Sequence, residues 1–461
     1  MGLNYRSAAL AVAILSALAA PAQAGRPGSW TKVHEADANT TEVGVARSAG
    51  GALNVLWSRD ADNAVLNTQL SANARTLNGP HAVFGYAGAV NSSVSLLPAP
   101  GGGLRAFFSG LSDDHALDGV MATATSPDGV SWSVQSTPAS DGRAANRSPV
   151  YAAAGIGGTI GTDRTPISIW GDSSPGAAGY HVGTSSTEPD VHFGGSNASV
   201  SHPNAAADSE TGQVVIAWSD LDAGQTLVQS IFPAGPRAVA PGGGAPDPLE
   251  RVGMTGRDGG GIFVAYLRGS NQFLGRVTVW RVGAPDRVRG LPGARGARFP
   301  GVTRGPAGRV WAFWADTVRN ATRVFAARSN EAATRFGARV PVKLPGGAAS
   351  TLFSLEGEGT APGGMLDLVA LVEQTDGIAN WHQRVEPGIT LRAKALGGGE
   401  VRFKTRDAGK KLETTIRFAG ETKATGDDGK VVMSAEPRRK KYKAKATRDG
   451  YHRASRRVKV K

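Results

Sequence analysis

A strand of nearly constant form returns seven times between residues 40 and 385, and its spacing limits the possible folds more than any other feature. It reads NVLWSR around Trp57, RAFFSG around Phe108, ISIWGD around Trp170 and VIAWSD around Trp218. FVAYLR around Tyr266, VWAFWAD around Trp314 and ALVEQ around Val372 complete the series. From Trp170 to Trp314 the step is 48 residues three times, and the other steps are 51, 62 and 58. Each copy is apolar, rich in β-branched or aromatic residues, and short enough to be buried on both faces. Gly-rich turns precede most copies, as in HPNAAADSETG and FPGVTRGPAG, and a polar stretch with another alternating strand follows. Repeated units of three or four strands predict an all-β chain folded as a β-propeller of six to seven blades, seven preferred. A long two-sheet sandwich would explain the alternation and the turns, but not the equal steps.

Inside the second unit, residues 122–133 read ATATSPDGVSWS. Pro127 presets φ, the Asp128 carboxylate bonds back to local N–H groups, and Gly129 tolerates positive φ. Ser126, Asp128, Gly129 and Trp132 resemble the Asp-box of sialidase-like propellers, one residue shorter than the common spacing. Two further copies keep the full spacing: Ser186, Glu188, Asp190 and Phe193, then Ser329, Glu331, Ala333 and Phe336. They begin 18, 16 and 15 residues after Phe108, Trp170 and Trp314, hence in the same hairpin of each unit. The resemblance covers roughly residues 30–385 and implies that these residues are structural staples, on the rim away from the family's substrate funnel.

The resemblance also implies where a ligand would bind. Sialidases hold a substrate carboxylate with three arginines, one of them in an R-I-P motif on an innermost strand. Arg147-Ser148-Pro149 and Arg298-Phe299-Pro300 fit R-x-P, and the guanidinium fork meets a carboxylate bidentately. Counting back about 16 residues from each marker, or aligning on the proline, gives an axial ring of Thr41, Ser92, Arg147, Ser201, Glu250, Arg298 and Glu356. Of these, Arg147, Arg298, Glu250, Glu356 and Ser201 are the candidate ligand-binding residues. The family's nucleophile is a tyrosine from a late blade, activated by a glutamate. No tyrosine lies between Tyr266 and Tyr442 here, so no catalytic residue is assigned.

Other chemistries lack their signatures. There is no cysteine, and the eight histidines include no H-x-x-x-H pair. Neither a G-x-S-x-G elbow nor a G-x-x-x-x-G-K-[ST] loop is present. Asp113, Asp114 and His115 read as a polar loop. No metal and no cofactor is expected.

The two ends differ from the repeat. Residues 1–24 carry Arg6, the apolar run AALAVAILSALAA and Ala22-Gln23-Ala24, the pattern of a secretory signal too short to span a bilayer. An exported chain without cysteine depends on burial alone for its stability. From Glu386 to Lys461 there are 22 Lys/Arg and 9 Asp/Glu, so this segment holds the whole net charge of +13. A boundary follows: propeller over 25–385 and a basic antiparallel β-sandwich over 386–461. LGGGE (Leu396–Glu400) is expected to act as a flexible joint. GDDGK followed by YKAKATRDGY resembles the carboxypeptidase-regulatory-like, prealbumin-type module of secreted proteins.

Arg438, Arg439, Lys440 and Lys441 head the candidates for docking to an anionic envelope polymer or lipid headgroups. Sparse aromatics argue against base stacking and sequence-specific nucleic acid. The expectation is a secreted or surface-associated monomer without a transmembrane anchor. It would bind a glycan or a protein through its propeller without catalysis. An exo-acting glycoside hydrolase of sialidase type is the alternative.

Overall fold

The computed structural model describes residues 27–460 except 38–39, 41, 63, 86–93, 113–114, 137–155, 161–165, 173–178, 184–190, 194–202, 221–222, 245–250, 270–274, 296, 319–320, 348–349 and 438–440. The stretch 1–24 therefore lies outside the described residues. Among the described residues, no helix is long and apolar enough to cross a membrane.

Between residues 31 and 385 the described residues pair into seven four-stranded antiparallel sheets, numbered here 1 to 7 along the chain. Their first strands are Val43–Arg47, Val94–Pro98, Ile156–Ile160, Asn204–Ala207, Gly253–Gly256, Ala297–Arg304 and Thr351–Ala361. Each first strand lies beside the next, and Thr351–Ala361 returns beside Val43–Arg47. The sheets thus close radially around an axis, which is a β-propeller. Sheets 1 to 6 are meanders of consecutive strands. Sheet 7 takes its outermost strand, Thr31–Ala36, from the start of the chain, with Lys32 opposite Trp381 and Ala36 opposite Ile378.

All seven repeat markers fall in second strands: Leu53–Arg59, Leu104–Ser112, Pro166–Asp172, Val214–Asp220, Ile262–Arg268, Val310–Val318 and Met365–Gln374. A second strand has a neighbouring sheet on both faces, so buried apolar residues fill it without alternation, with a few buried polar ones such as Asn54 and Asp367 among them. Trp57, Phe108, Trp218, Tyr266 and Trp314 are buried there. Burial of one such side chain contributes about 2–3 kcal/mol relative to exposure. The core is accordingly a set of seams: Leu56 and Val65 of sheet 1 meet Val94 and Phe108 of sheet 2, and Phe299 and Phe313 of sheet 6 meet Leu355 and Leu368 of sheet 7. Near the axis the strands converge until side chains no longer fit. A Cβ on Gly44 would stand 2.8 Å from the Leu96 backbone nitrogen, and one on Gly256 2.0 Å from the Ala207 carbonyl.

Beyond Glu386 two four-stranded sheets enclose a separate core of Leu391, Val401, Phe403 and Met433 against Ile416, Phe418, Ala444 and Val458. LGGGE is not the joint between the two parts. Thr390–Gly397 and Glu400–Asp407 are paired strands, and Gly397, Gly398 and Gly399 form their hairpin at φ of 105°, 57° and 84°. The connection from the propeller is only Glu386–Ile389.

Candidate functional site

In a four-stranded meander the first-to-second and third-to-fourth turns share one rim, here called lower. The loops leading into each first strand lie on the upper rim. Residues just before or early in the first strands therefore meet at the upper end of the axis.

A cavity of about 320 Å³ runs along that axis and is lined from all seven first strands, including Val45, Leu96, Thr159, Ala206, Thr255, Thr303 and Glu356. Arg251 crosses its upper end. This side chain, just ahead of sheet 5, hydrogen-bonds Glu42 before sheet 1, donates to the Val94 carbonyl of sheet 2 at 2.6 Å, and reaches Glu356 Oε1 of sheet 7 at 3.4 Å. One guanidinium thus ties four sheets together. Arg251 and Glu356 also line a second pocket of about 50 Å³ on the upper side, with Glu42, Asn204, Phe299, Pro300, Ser354 and Phe353. Phe353 keeps 42% of its surface exposed. Burial pushes the Glu356 carboxyl up to about 7; Arg251 opposes the rise and the Glu42 charge adds to it.

Beside the lower end of the cavity a second ionic group locks the ring. Asp367, fully buried in sheet 7, accepts from His382 Nε2 at 2.9 Å, from Arg384 Nε at 2.8 Å, and from Arg47 of sheet 1. Arg47 also reaches Glu358 at 3.0 Å, and Arg384 donates to the Ala72 carbonyl at 2.9 Å. Burial alone would raise the Asp367 pKa, but hydrogen bonds from His382 and Arg384 outweigh it and hold the carboxyl well below the usual range. These residues fasten the closing sheet to the first, and Glu358 among them also lines the axial cavity.

The hairpin at 126–132 lies on the lower rim, opposite Arg251. Ser126 Oγ accepts from the Gly129 amide at 2.7 Å, and Asp128 Oδ1 accepts from Val130 and Ser131, both at 2.8 Å. Those amides lower the Asp128 pKa. Trp132 packs against the seam between sheets 1 and 2. At the Ser329 hairpin the hydroxyl accepts from the Val310 amide at 2.8 Å, and Phe336 packs on the seam between sheets 5 and 6. Here Asn330, not Glu331, collects the turn amides, those of Thr334 and Arg335, while Glu331 points out to Arg309 at 3.0 Å. Ser186, Glu188 and Asp190 lie outside the described residues.

Of the counted axial ring, Glu356 lines both cavities. Thr41, Ser92, Arg147, Ser201 and Glu250 lie outside the described residues. Arg298 is exposed and lines neither cavity. A bulge between Arg298 and Gly301, with Phe299 at φ 54°, re-aims this stretch. The bulge brings the Phe299 ring to the pocket and leaves the Arg298 guanidinium 4.9 Å from that ring's centre. Glu42, Arg251, Asn204 and Phe353 were not in the count. Glu42 and Arg251 each sit one residue from a counted position, and along a strand one residue reverses the face. Of the basic run, Arg438, Arg439 and Lys440 lie outside the described residues, and Lys441 is exposed. Among the described residues no group of His, Asp and Glu could hold a metal ion.

No protein-family model and no curated protein matches the sequence. Among solved structures the chain is similar to a mutant of the Aleuria aurantia lectin in complex with Fucα1-6GlcNAc. Identity is 8% and the TM-score 0.41, over 86% of this chain and 98% of that one. An ulvan lyase of a polysaccharide lyase family aligns at 10% identity and TM-score 0.46, over 78% and 94% of the two chains. A Hadza microbial sialidase aligns at 10% identity and TM-score 0.41, over 77% and 68%. The structural neighbours thus include lectin, lyase and sialidase propellers.

Proposed function

We propose that the chain is an exported glycan-binding protein, taking a neutral sugar at the upper axial mouth without cleaving it. In this reading the basic C-terminal sandwich docks to anionic surfaces. The observation that carries the reading is the state of Arg251. Its guanidinium is already held by two carboxylates and a carbonyl, so it offers an acidic sugar no open fork. Beside it stands the exposed Phe353 ring, suited to the C–H face of a pyranose, while Glu356 and Ser354 supply polar groups for hydroxyls. Arg298, the described member of the R-x-P pair, is not in the pocket.

Titration calorimetry with neutral and acidic oligosaccharides tests this. Binding of a neutral sugar, weakened at least roughly tenfold by Phe353→Ala, is the expected result. Cleavage of a fluorogenic sialoside that disappears in Arg298→Ala would overturn it, and so would binding of acidic sugars alone. One observation favours a second reading, an exo-acting glycoside hydrolase. Glu356, its carboxyl raised by burial to about 7 and linked through Arg251 to Glu42, has the character of a general acid. Hydrolysis lost in Glu356→Gln would establish that reading.

A further inference from the structure

The two faces of the C-terminal sandwich are not alike. The sheet made of Glu421–Ala424, Thr415–Phe418, Tyr442–Thr447 and Ala454–Val458 buries Ile416, Phe418, Ala444 and Ala446 on one side. Strand alternation turns the intervening residues outward. Lys443 pairs with Arg457, Lys445 with Ser455 on one side and Arg417 on the other, and all five are exposed. Lys441 and Lys459, exposed just beyond the strand ends, continue the same alternation. The outward face therefore carries six cations: Arg417, Lys441, Lys443, Lys445, Arg457 and Lys459. The rest of it is Thr415, Thr422, Thr447, Ser455 and Ala424. The only carboxylate within these four strands, Glu421, has the opposite parity and pairs with Lys423 at 3.1 Å, while Glu413, exposed two residues ahead of Thr415, continues the outward alternation at the end away from Lys441 and Lys459.

Spacing gives this face a direction. Lys441, Lys443 and Lys445 stand about 7 Å apart along one strand, and Lys459 and Arg457 run beside them about 4.8 Å away. Two cationic rows on neighbouring strands, with Thr447 and Ser455 at their ends and Thr415 and Thr422 on the flanking strands, form a track for an extended chain of oxyanions. Nothing apolar and large projects from the face to enter a lipid layer, which an interfacial element needs for stable insertion. Nor is there an aromatic ring on which a base could stack.

We propose that this face binds a linear phosphate polymer lying along the strands. The proposal deepens the reading that the basic module docks to anionic surfaces, by naming the surface's chemistry and the residues that meet it. The module itself is held by its turns. Arg328, at the lower end of sheet 6, pairs with Asp407 at 2.8 Å, and Gly388 bridges the Ala338 and His452 backbones. The track is thus attached to the rim opposite the axial mouth, and a polymer bound there leaves Phe353 clear.

The test uses the mature full chain and long-chain inorganic polyphosphate, with vesicles of phosphatidylglycerol in phosphatidylcholine as the second arm. Expected is polyphosphate binding that weakens steeply with salt. The double variant Lys443→Gln/Lys445→Gln should bind roughly tenfold more weakly, with the log–log salt slope shallower by about 1.4. The charge-matched control Arg392→Gln/Lys394→Gln, exposed on the other sheet, should bind as wild type does. Equal losses in the two double variants would overturn the proposal, because net charge alone would then explain binding. Vesicle binding without polyphosphate binding would also overturn it, while leaving the broader docking reading standing. Sugar titrations at the mouth are independent of both arms.

Discussion

Glu356 sits where two demands on a carboxyl conflict. It keeps 27% side-chain exposure, yet the channel wall removes most of its water and Glu42 shares the same guanidinium. With its folded pKa raised to about 7, above the unfolded value, the native state binds a proton that the unfolded chain lacks between about pH 5 and pH 7. The sign follows: stability falls as pH rises through that window, and is flat on either side of it. Glu356→Gln, neutral throughout, is expected to remove the fall and to match wild type near pH 5. Urea unfolding at pH 5, 6, 7 and 8 measures it. If both proteins lose stability in parallel over this range, Glu356 is not the group that titrates. Asp367 behaves oppositely, since its depressed pKa places its contribution above the unfolded carboxyl range and removes it only in acid.

At the scale of elements, the lower-rim hairpins join sheets that would otherwise share only apolar surface. The 126–132 turn of sheet 2 is received by sheet 1: Asn67 donates to the Gly129 carbonyl at 2.7 Å and Gln69 donates to that of Asp128. Gly129 is required twice over. Its φ is 79°, and a Cβ there would stand 2.2 Å from Asn54 Oδ1, the atom that accepts from Asn67 at 3.0 Å. Gly129→Ala should therefore cost about 2 kcal/mol, from left-handed strain plus the displaced amide pair. Thermal denaturation measures this, and a cost below about 0.5 kcal/mol would mean the hairpin is not a joint. Much of this element was readable in advance, because S-P-D-G-x-x-W is local chemistry: hydroxyl, carboxylate, glycine and ring act within seven residues. The second strands were equally readable, since burial on both faces leaves a mostly apolar run without alternation. The axial residues were not. Arg251 and Glu42 meet across the ring from positions 209 residues apart, and no local pattern records that meeting. A count from the markers carries an error of a residue or two, enough to reverse the face. Phe299 adds a bulge that no count anticipates.

Across the whole molecule, two closures decide what unfolds together. The propeller closes through Thr31–Ala36 and the Asp367 group, and the sandwich closes onto it at Asp407. That carboxylate accepts from Arg328 at 2.8 Å and from Tyr451 Oη at 3.1 Å, with Arg309 at 3.8 Å. Arg328 also donates to the Gly364 carbonyl of sheet 7 at 2.8 Å and lies over the Trp311 ring at 5.8 Å. Both members of the pair are buried, so removing one leaves a charge without its counterpart, a loss of about 3 kcal/mol. Each unit retains its own core, and the cost should therefore appear as uncoupling rather than as loss of either fold. In calorimetry the wild type is expected to give one endotherm. Asp407→Ala should give two, with the smaller, sandwich-sized transition moved to lower temperature. A single endotherm shifted as a whole would mean that the main-chain bridges at Gly388 suffice for coupling. In that case the buried pair only orients the cationic face relative to the mouth.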